Sequence, residues 1–280
     1  MFDGVHRGHR FVLQQVIATA QERGLQSMAI TFDHSPRREQ ILTPLNEKLA
    51  LLAQTGIERV EMLPFTEELR NMTARQFMQQ VLRERCHVEV LLTGYDNRFG
   101  HNREEGFDDY VRYGHELGID VQALPQEGDV SSSLIRQLLT EGRVADAANG
   151  LGHPYTIVGR VTHGQHVGTG LGYPTANIVP DDACQLVPAA GVYAVTVRID
   201  DSHDEHHAMM NIGRRPTFNG RQQTLEVHIL QLSGDLYGHR LRVAFVDRLR
   251  DEQRFDSIES LQAQLRCDAQ QAEEALKKTR

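Results

Sequence analysis

The first residues able to do chemistry lie at the start of the chain, in Phe2-Asp3-Gly4-Val5-His6-Arg7-Gly8-His9. Two histidines three apart at the head of a helix project to one side of its first turn. A helix N-terminus presents free amides and the positive end of the dipole, and Gly8 lets a ligand approach the backbone. Imidazoles placed there can donate hydrogen bonds to a phosphate whose charge grows as a nucleophile attacks it. The same spacing also serves a metal pair or simply a polar helix start. A second cluster, Ser131-Ser132-Ser133-Leu134-Ile135-Arg136, heads a helix that ends near Gly142. One serine is enough for an N-cap. Three serines and an arginine exceed that need and offer hydroxyls, amides and a guanidinium to a phosphate.

The second half carries a different set. Gly164, Gly168, Gly170 and Gly172 fall within nine residues and run into Tyr173-Pro174-Thr175-Ala176-Asn177. No Gly-Lys-Ser/Thr follows and no protein-kinase HRD or DFG occurs, so this is not a Walker A loop. A glycine cluster by itself is equally a flexible loop. If Thr175 and Asn177 enter a strand they share a face, and two neutral oxygens suit a Mg²⁺ ion that takes its other ligands from water and phosphates. The glycines would then let backbone amides close over those phosphates. In Thr224-Leu225-Glu226-Val227-His228-Ile229-Leu230 the apolar residues take one face, leaving Glu226 and His228 on the other. A strand glutamate is ordinarily a solvated rim residue. Facing a phosphate-binding loop, it becomes a candidate general base for a hydroxyl nucleophile. His228 reads as its neighbour rather than a catalyst.

These residues need two kinds of scaffold. In the first half, helical patterns (11–23, 46–55, 73–85 with Thr73 as cap, 110–117) alternate with short apolar runs (27–32, 60–63, 88–93, 121–124). Strands separated by helices of that length predict crossover connections and a mostly parallel, doubly wound α/β sheet. After about residue 150 the pattern becomes strand-like (155–162, 191–199, 224–232, 241–247) with Gly/Pro punctuation, which predicts an antiparallel barrel or sandwich. From Ser257, Ile258, Leu261 and Leu265 share a helical face. The predicted domains are 1–150 and 151–280.

Composition excludes several classes. With 280 residues, 40% hydrophobic and 24% charged, the chain is globular, and no apolar run reaches the ~18 residues of a membrane helix. The net charge of -8 argues against a nucleic-acid partner but leaves room for a local basic phosphate pocket. Cys86, Cys184 and Cys267 form no CxxC pair, which suits a reducing cytoplasm and excludes a cysteine zinc site.

Several motifs carry a resemblance. FDGVHRGH, TFDHSP (31–36), GYDNRFG (94–100) and SSSLIR resemble the FMN adenylyltransferase module of bacterial bifunctional riboflavin kinase/FAD synthetases. GRVTHG with LGYPTAN (159–177), PAAGVYAV (188–195), NIGRRPTF (211–218), LEVHIL (225–230), DLYG (235–238) and LRDEQRF (249–255) are similar to riboflavin kinase. The resemblance implies a Rossmann-like nucleotidyltransferase domain followed by a six-stranded antiparallel β-barrel with a C-terminal helix. It implies ATP-dependent phosphorylation of riboflavin to FMN, then adenylylation of FMN to FAD with release of pyrophosphate, and Mg²⁺ as cofactor. His6 and His9 would hold the triphosphate, Ser132, Ser133 and Arg136 its other end, and Asp96 would lie near the nucleotide or metal. Thr175 and Asn177 would bind Mg²⁺ and ATP phosphates behind the glycine loop and Pro174, and Glu226 would activate the riboflavin 5′-hydroxyl. Asn211 would flank that site, with Arg250 to Phe255 near the flavin. The sequence holds no Trp, so stacking on the isoalloxazine would fall to Tyr, Phe or aliphatic faces. The family places a hydrophobic strand before FDGxHxGH, whereas this sequence opens Met1-Phe2, so the first strand of the domain is expected to be missing. The second reading is accordingly a riboflavin kinase with an inactive adenylyltransferase half; a flavin-binding module without turnover is a third.

Overall fold

The computed structural model describes residues 2–33, 40–94, 97–125, 128–163, 172–217, 220–232 and 234–278, with backbone only at 102, 214–217 and 220–222. By contacts it divides into two units, 1–39 with 44–131, and 40–43 with 132–280.

The N-terminal unit alternates strands and helices as the pattern predicts. Its elements are α1 (Arg7–Arg23), β1 (Met28–Phe32), α2 (Leu45–Ala53), β2 (Arg59–Leu63), α3 (Glu67–Asn71), α4 (Ala74–Gln76), β3 (Val90–Gly94), α5 (Phe107–Leu117) and β4 (Asp120–Leu124). Between α4 and β3 the chain continues as a π-helix over Phe77–Arg85. Thr73 caps α4 through a capping box with Gln76, as its hydroxyl and the Gln three residues on allow. Helix α1 stops at Gly24, whose φ of 65° a residue with a Cβ adopts only at a cost. The strands form two parallel pairs, β1 with β2 and β3 with β4, rather than one continuous sheet. Val5, Leu13, Ala29, Leu52 and Ile57 form one core cluster; Met78, Leu82, Tyr110 and Ile119 lead another.

The C-terminal unit opens with α6 (Ser132–Thr140) and α7 (Val144–Leu151), the latter packed on the barrel strand β10. Then come β5 (Thr156–Thr162), β6 (Ala176–Pro180), β7 (Gly191–Ile199), β8 (His206–Thr217), β9 (Gly220–Ile229), β10 (Arg240–Arg250) and α8 (Ile258–Lys277). The six strands close into a barrel in the order β10-β5-β6-β9-β8-β7, antiparallel at each pairing. Closure leaves no open edge, which is how an all-antiparallel sheet of this size avoids edge pairing. Tyr193, Val195, Met210, Ile212, Val227 and Phe245 fill the interior. Strand β8 escaped the sequence pattern because His206-His207 and Arg214-Arg215 interrupt its apolar alternation. Helix α7, eight residues long, is not assigned from the sequence although Val144, Ala147 and Leu151 share one face.

Helix α8 covers part of the barrel's outer face, setting Ala272 and Leu276 against Ala194 and Met209. One charged contact fixes its register. Arg250, at the end of β10, donates Nε and Nη2 to the two carboxylate oxygens of Asp268 at 2.9 and 2.7 Å. Asp268 is fully buried and also accepts from Gln264 Nε2 at 2.8 Å, so three donors meet its two oxygens. Removing one member of such a pair strands the other charge in a dry site. Asp268→Ala should therefore cost about 3–5 kcal/mol in denaturant unfolding. The apolar double variant Asp268→Leu with Arg250→Met should recover a substantial part of that loss.

Candidate functional site

In the barrel, register decides which side chains meet. Asn177 on β6 pairs with Glu226 on β9, and Glu226 pairs in turn with Asn211 on β8. Directly paired residues in antiparallel strands point to the same face with Cβ atoms ~5 Å apart. Their neighbours Ile178, Leu225, Val227 and Ile212 are buried in the barrel interior, so Asn177, Glu226 and Asn211 form a row on its outer face. All three are half-buried, as is Thr175, which immediately precedes β6. The row continues at one end to Thr162 and at the other to Val192 and Arg250.

The approach to β6 is held by His228. Its Nδ1 lies 2.8 Å from the carbonyl of Pro174, which can only accept, so Nδ1 is the donor. The Tyr173 ring meets the His228 ring edge-on at 5.1 Å. His228 lies two residues from Glu226 on the same strand face, so one strand presents the carboxylate and fixes the backbone just ahead of Thr175. Gly172, exposed and at φ 82°, ends the glycine run; Gly164, Gly168 and Gly170 lie outside the described residues. The root of that run is tied down, because His163 stacks on Tyr237 of DLYG at 3.6 Å and Gly238 N–H donates to Val161 O.

Arg250 is not a free cation beside this row. Its guanidinium is taken by Asp268 and by the Asp251 carbonyl, with the Phe255 ring 5.7 Å away. Sequence reasoning passed over Glu252 and Thr224. A Cβ placed on Gly213 would meet Glu252 Oε1 at 2.8 Å, Thr224 Oγ1 at 3.2 Å and Asn211 Nδ2 at 3.4 Å. Gly213 thus leaves the space into which a second carboxylate reaches beside Asn211. The DEQRF segment contained that carboxylate, but only the barrel's closure brings it to the row.

The N-terminal histidines occupy a tighter setting. Val5 N–H bonds to Phe2 O at 3.4 Å, closing a turn with Gly4 at φ 86° and Val5 itself at φ 40°. A β-branched residue in the left-handed region is strained, and the full burial of Val5 holds it there. The turn delivers His6 as the cap of α1, its Nδ1 accepting from His9 N–H at 3.4 Å. The two imidazoles stack at 3.6 Å with 20° between planes, and Phe2 packs edge-on against His9. A Cβ at Gly8 would sit 3.3 Å from the His6 ring, so the intervening glycine makes room for that ring. Burial pushes His6 down to about 4, and burial together with His6 holds His9 well below the ordinary histidine value. Both are neutral near pH 7. His9 Nδ1 is buried and has no hydrogen-bond partner among the described residues.

Lys48, missed in the sequence, is buried beneath this turn and donates to Phe32 O at 3.0 Å. Burial lowers its pKa, opposed by the nearby charges of Asp3 and Asp33. It therefore links the FDG turn to the TFD end of β1. Asp96 and residues 34–36 of TFDHSP lie outside the described residues. Ser132 and Ser133 open α6, and Arg136 Nε donates to Gln40 O at 2.8 Å. These three belong by contacts to the C-terminal unit, whereas His6 and His9 belong to the N-terminal one. Among the described residues no cluster of three or more His, Cys, Asp or Glu could hold a metal.

Two family models match in the order these sites lie, FAD synthetase over residues 1–135 and riboflavin kinase over residues 151–276. Full-length relatives join the two. Bifunctional riboflavin kinase/FMN adenylyltransferase of Escherichia coli K12 is 38% identical over 284 residues, covering 98% of this chain and 90% of the relative. The chain belongs to the bifunctional riboflavin kinase/FMN adenylyltransferase family. The Pseudomonas fluorescens member is 39% identical (95% of this chain, 88% of the relative) and the Bacillus subtilis member 30% (97% and 89%). A crystal structure described as a macrolide-efflux protein from Streptococcus pneumoniae matches with a TM-score of 0.87 at 30% identity, covering 96% of this chain and 90% of that one. Among the described residues no helix is long and apolar enough to cross a membrane.

The buried histidines of this family member predict a pH dependence. Their folded pKa values lie below the ordinary 6.5, so as pH falls below about 6.5 the unfolded chain binds more protons, and folded His6 follows only near about 4. The stability they contribute is complete above pH 6.5 and is lost as pH falls through that window. Urea unfolding followed at several pH values should show this slope, and His6→Gln and His9→Gln should each flatten it. Slopes unchanged in both variants would show that other groups dominate.

Proposed function

We propose that this transferase phosphorylates riboflavin on the outer face of the barrel and adenylylates FMN with residues of the N-terminal half, the functional division lying near residue 150. The observation that carries the kinase half is the row Asn177–Glu226–Asn211 across three adjacent strands. It supports the convergence of a carboxylate with the PTAN oxygens.

In the kinase step Glu226 accepts the proton of the riboflavin 5′-hydroxyl as its oxygen attacks the γ-phosphorus of ATP, and the bond to the ADP oxygen breaks. The donor set fits Mg²⁺. Thr175 and Asn177 offer neutral oxygens, and magnesium commonly takes few protein ligands and completes its shell with phosphates and water. Thr175 and Asn177 would hold the ion, which when bound neutralises charge on the phosphates. His228 positions Thr175 through the Pro174 carbonyl, and Asn211 orients Glu226 from the neighbouring strand. Gly164, Gly168, Gly170 and Gly172 cover ATP, and Phe255 lies toward the flavin, with Arg250 bracing that segment through Asp268.

In the adenylyl step a phosphate oxygen of FMN attacks the α-phosphorus of ATP and pyrophosphate leaves. His6 and His9 contribute as neutral hydrogen-bond donors to the phosphates, with Ser132, Ser133 and Arg136 as the second clamp and Asp96 beside the nucleotide. The bifunctional relatives favour both steps over the kinase alone. The reading places the enzyme in the cytoplasm, with flavins and ATP as its partners.

Two variants test the division of labour. Glu226→Gln should lower FMN formation by roughly 10²–10⁴-fold, the usual range for a general base, while riboflavin still binds; near-normal turnover would remove Glu226 as the base. His9→Ala should leave FMN formation intact and reduce conversion of FMN to FAD when products are separated by chromatography. Parallel loss of both activities would argue against separate sites.

A further inference from the structure

The core of the N-terminal unit changes character along β1. Around Ala29 it is apolar, with Val5, Leu13, Leu52 and Ile57 packed together. Two residues further along the same buried face stands Thr31, and from there the buried groups are polar. Lys48 on α2 donates to Phe32 O at 3.0 Å, and the charges that act on it are those of Asp3 in the FDG turn and Asp33 just past the strand. Lys48 and Asp3 are both buried, as is His6. The carboxyl ends of strands are where open α/β sheets bind their ligands. The FDG turn, which delivers His6 and His9, is tied to β1 at that end.

A lysine at this position needs a reason. Lys48 and Leu52 lie one turn apart and share the buried face of α2. An apolar side chain at 48 would complete that stripe, whereas a buried ammonium costs free energy to desolvate and is rarely found without a counter-charge. Burial lowers the pKa of Lys48, and Asp3 and Asp33 oppose the shift. Asp33 is itself fixed, its Oδ1 accepting from Phe65 N–H at 3.0 Å and its N–H donating to Leu63 O. One ammonium therefore serves a carboxylate from the turn and another from the strand end. His6 and His9, held neutral, bring no charge to offset Asp3. Arg10 also reaches the turn, through the carbonyl of Val5. Nucleotide phosphates approaching the histidines would meet carboxylate charge that Lys48 compensates from inside the core.

We propose that Lys48 is a positioning residue for adenylyl transfer: it clasps the FDG turn to the end of β1 and offsets Asp3 and Asp33 where the nucleotide phosphates arrive. The proposal rests on the reading that His6 and His9 serve that step. Lys48 acts through the turn and through the local field rather than by touching the substrates.

The test is FAD formation by the full chain from FMN and ATP with Mg²⁺, which bypasses the kinase step. Lys48→Met should raise the KM for ATP roughly tenfold or more, because uncompensated carboxylates oppose the phosphates. Asp3→Asn should shift that KM in the opposite direction, and the double variant should fall between the two. Lys48→Arg, which keeps the charge, should retain most of the original KM. A lysine needed only for packing would not give shifts of opposite sign. A KM in folded Lys48→Met within about twofold of the unaltered chain would overturn the proposal. Should the methionine variant fail to fold, Asp3→Asn decides alone, and an unchanged or raised KM there overturns it equally. Absence of FAD from the unaltered chain would sink the adenylyl reading and this inference together. FAD formation that is insensitive to these substitutions would sink the inference alone.

Discussion

The barrel half depends on register. An antiparallel ladder repeats every two residues, so the alignment that buries Leu225 and Val227 also forces Glu226 onto the face shared by Asn177 and Asn211. A one-residue slip of β9 would turn the carboxylate into the barrel and expose two core residues. The hydrophobic interior thus fixes the polar row without any polar contact having to specify it. Closure adds a second constraint, since each of the six strands is held on both sides and none can shift alone. A site needing two strands and the loop ahead of a third to agree within about an ångström is well served by such a frame.

The N-terminal half solves the same problem by local strain and burial. Gly4 and Val5 in the left-handed region turn the chain sharply so that His6 can cap α1, and the core around Val5 keeps the turn closed. The histidines then stack rather than spread apart. Two stacked cations would repel, and burial raises the cost of charging either one. The pair is consequently a neutral donor surface. What it can offer a ligand is hydrogen bonds and the helix terminus rather than fixed positive charge. That choice agrees with the overall acidity of the chain, which needs no basic surface at this point.

Much of this was legible from residue order alone. Period-two alternation in LEVHIL placed Glu226 opposite the buried face, and the alternation of strands with helices announced the change of fold near the middle of the chain. What escaped has physical causes. By contacts α6 and α7 group with the barrel, α7 burying Val144, Ala147 and Leu151, and an amphipathic face does not declare its partner. Glu252 and Lys48 were passed over because each reaches its place through tertiary structure: one by the return of β10 alongside the row, the other by burial beneath a turn more than forty residues away. His228 was read as a neighbour of Glu226. Its bond to Pro174 joins β9 to the approach to β6, which no local pattern pairs.

His228 also ties the strand that carries Glu226 to the backbone ahead of Thr175. Thr175 sits at the strand entrance, where its position depends on what holds the preceding backbone. The imidazole does so from the strand that carries Glu226, and Tyr173 packs against the same ring. At the loop's other root, His163 rests on Tyr237. The side chains that must keep a fixed distance, Asn177 and Glu226, stand on neighbouring strands outside that loop. Side chains held by barrel register in this way keep a fixed spacing without depending on a loop.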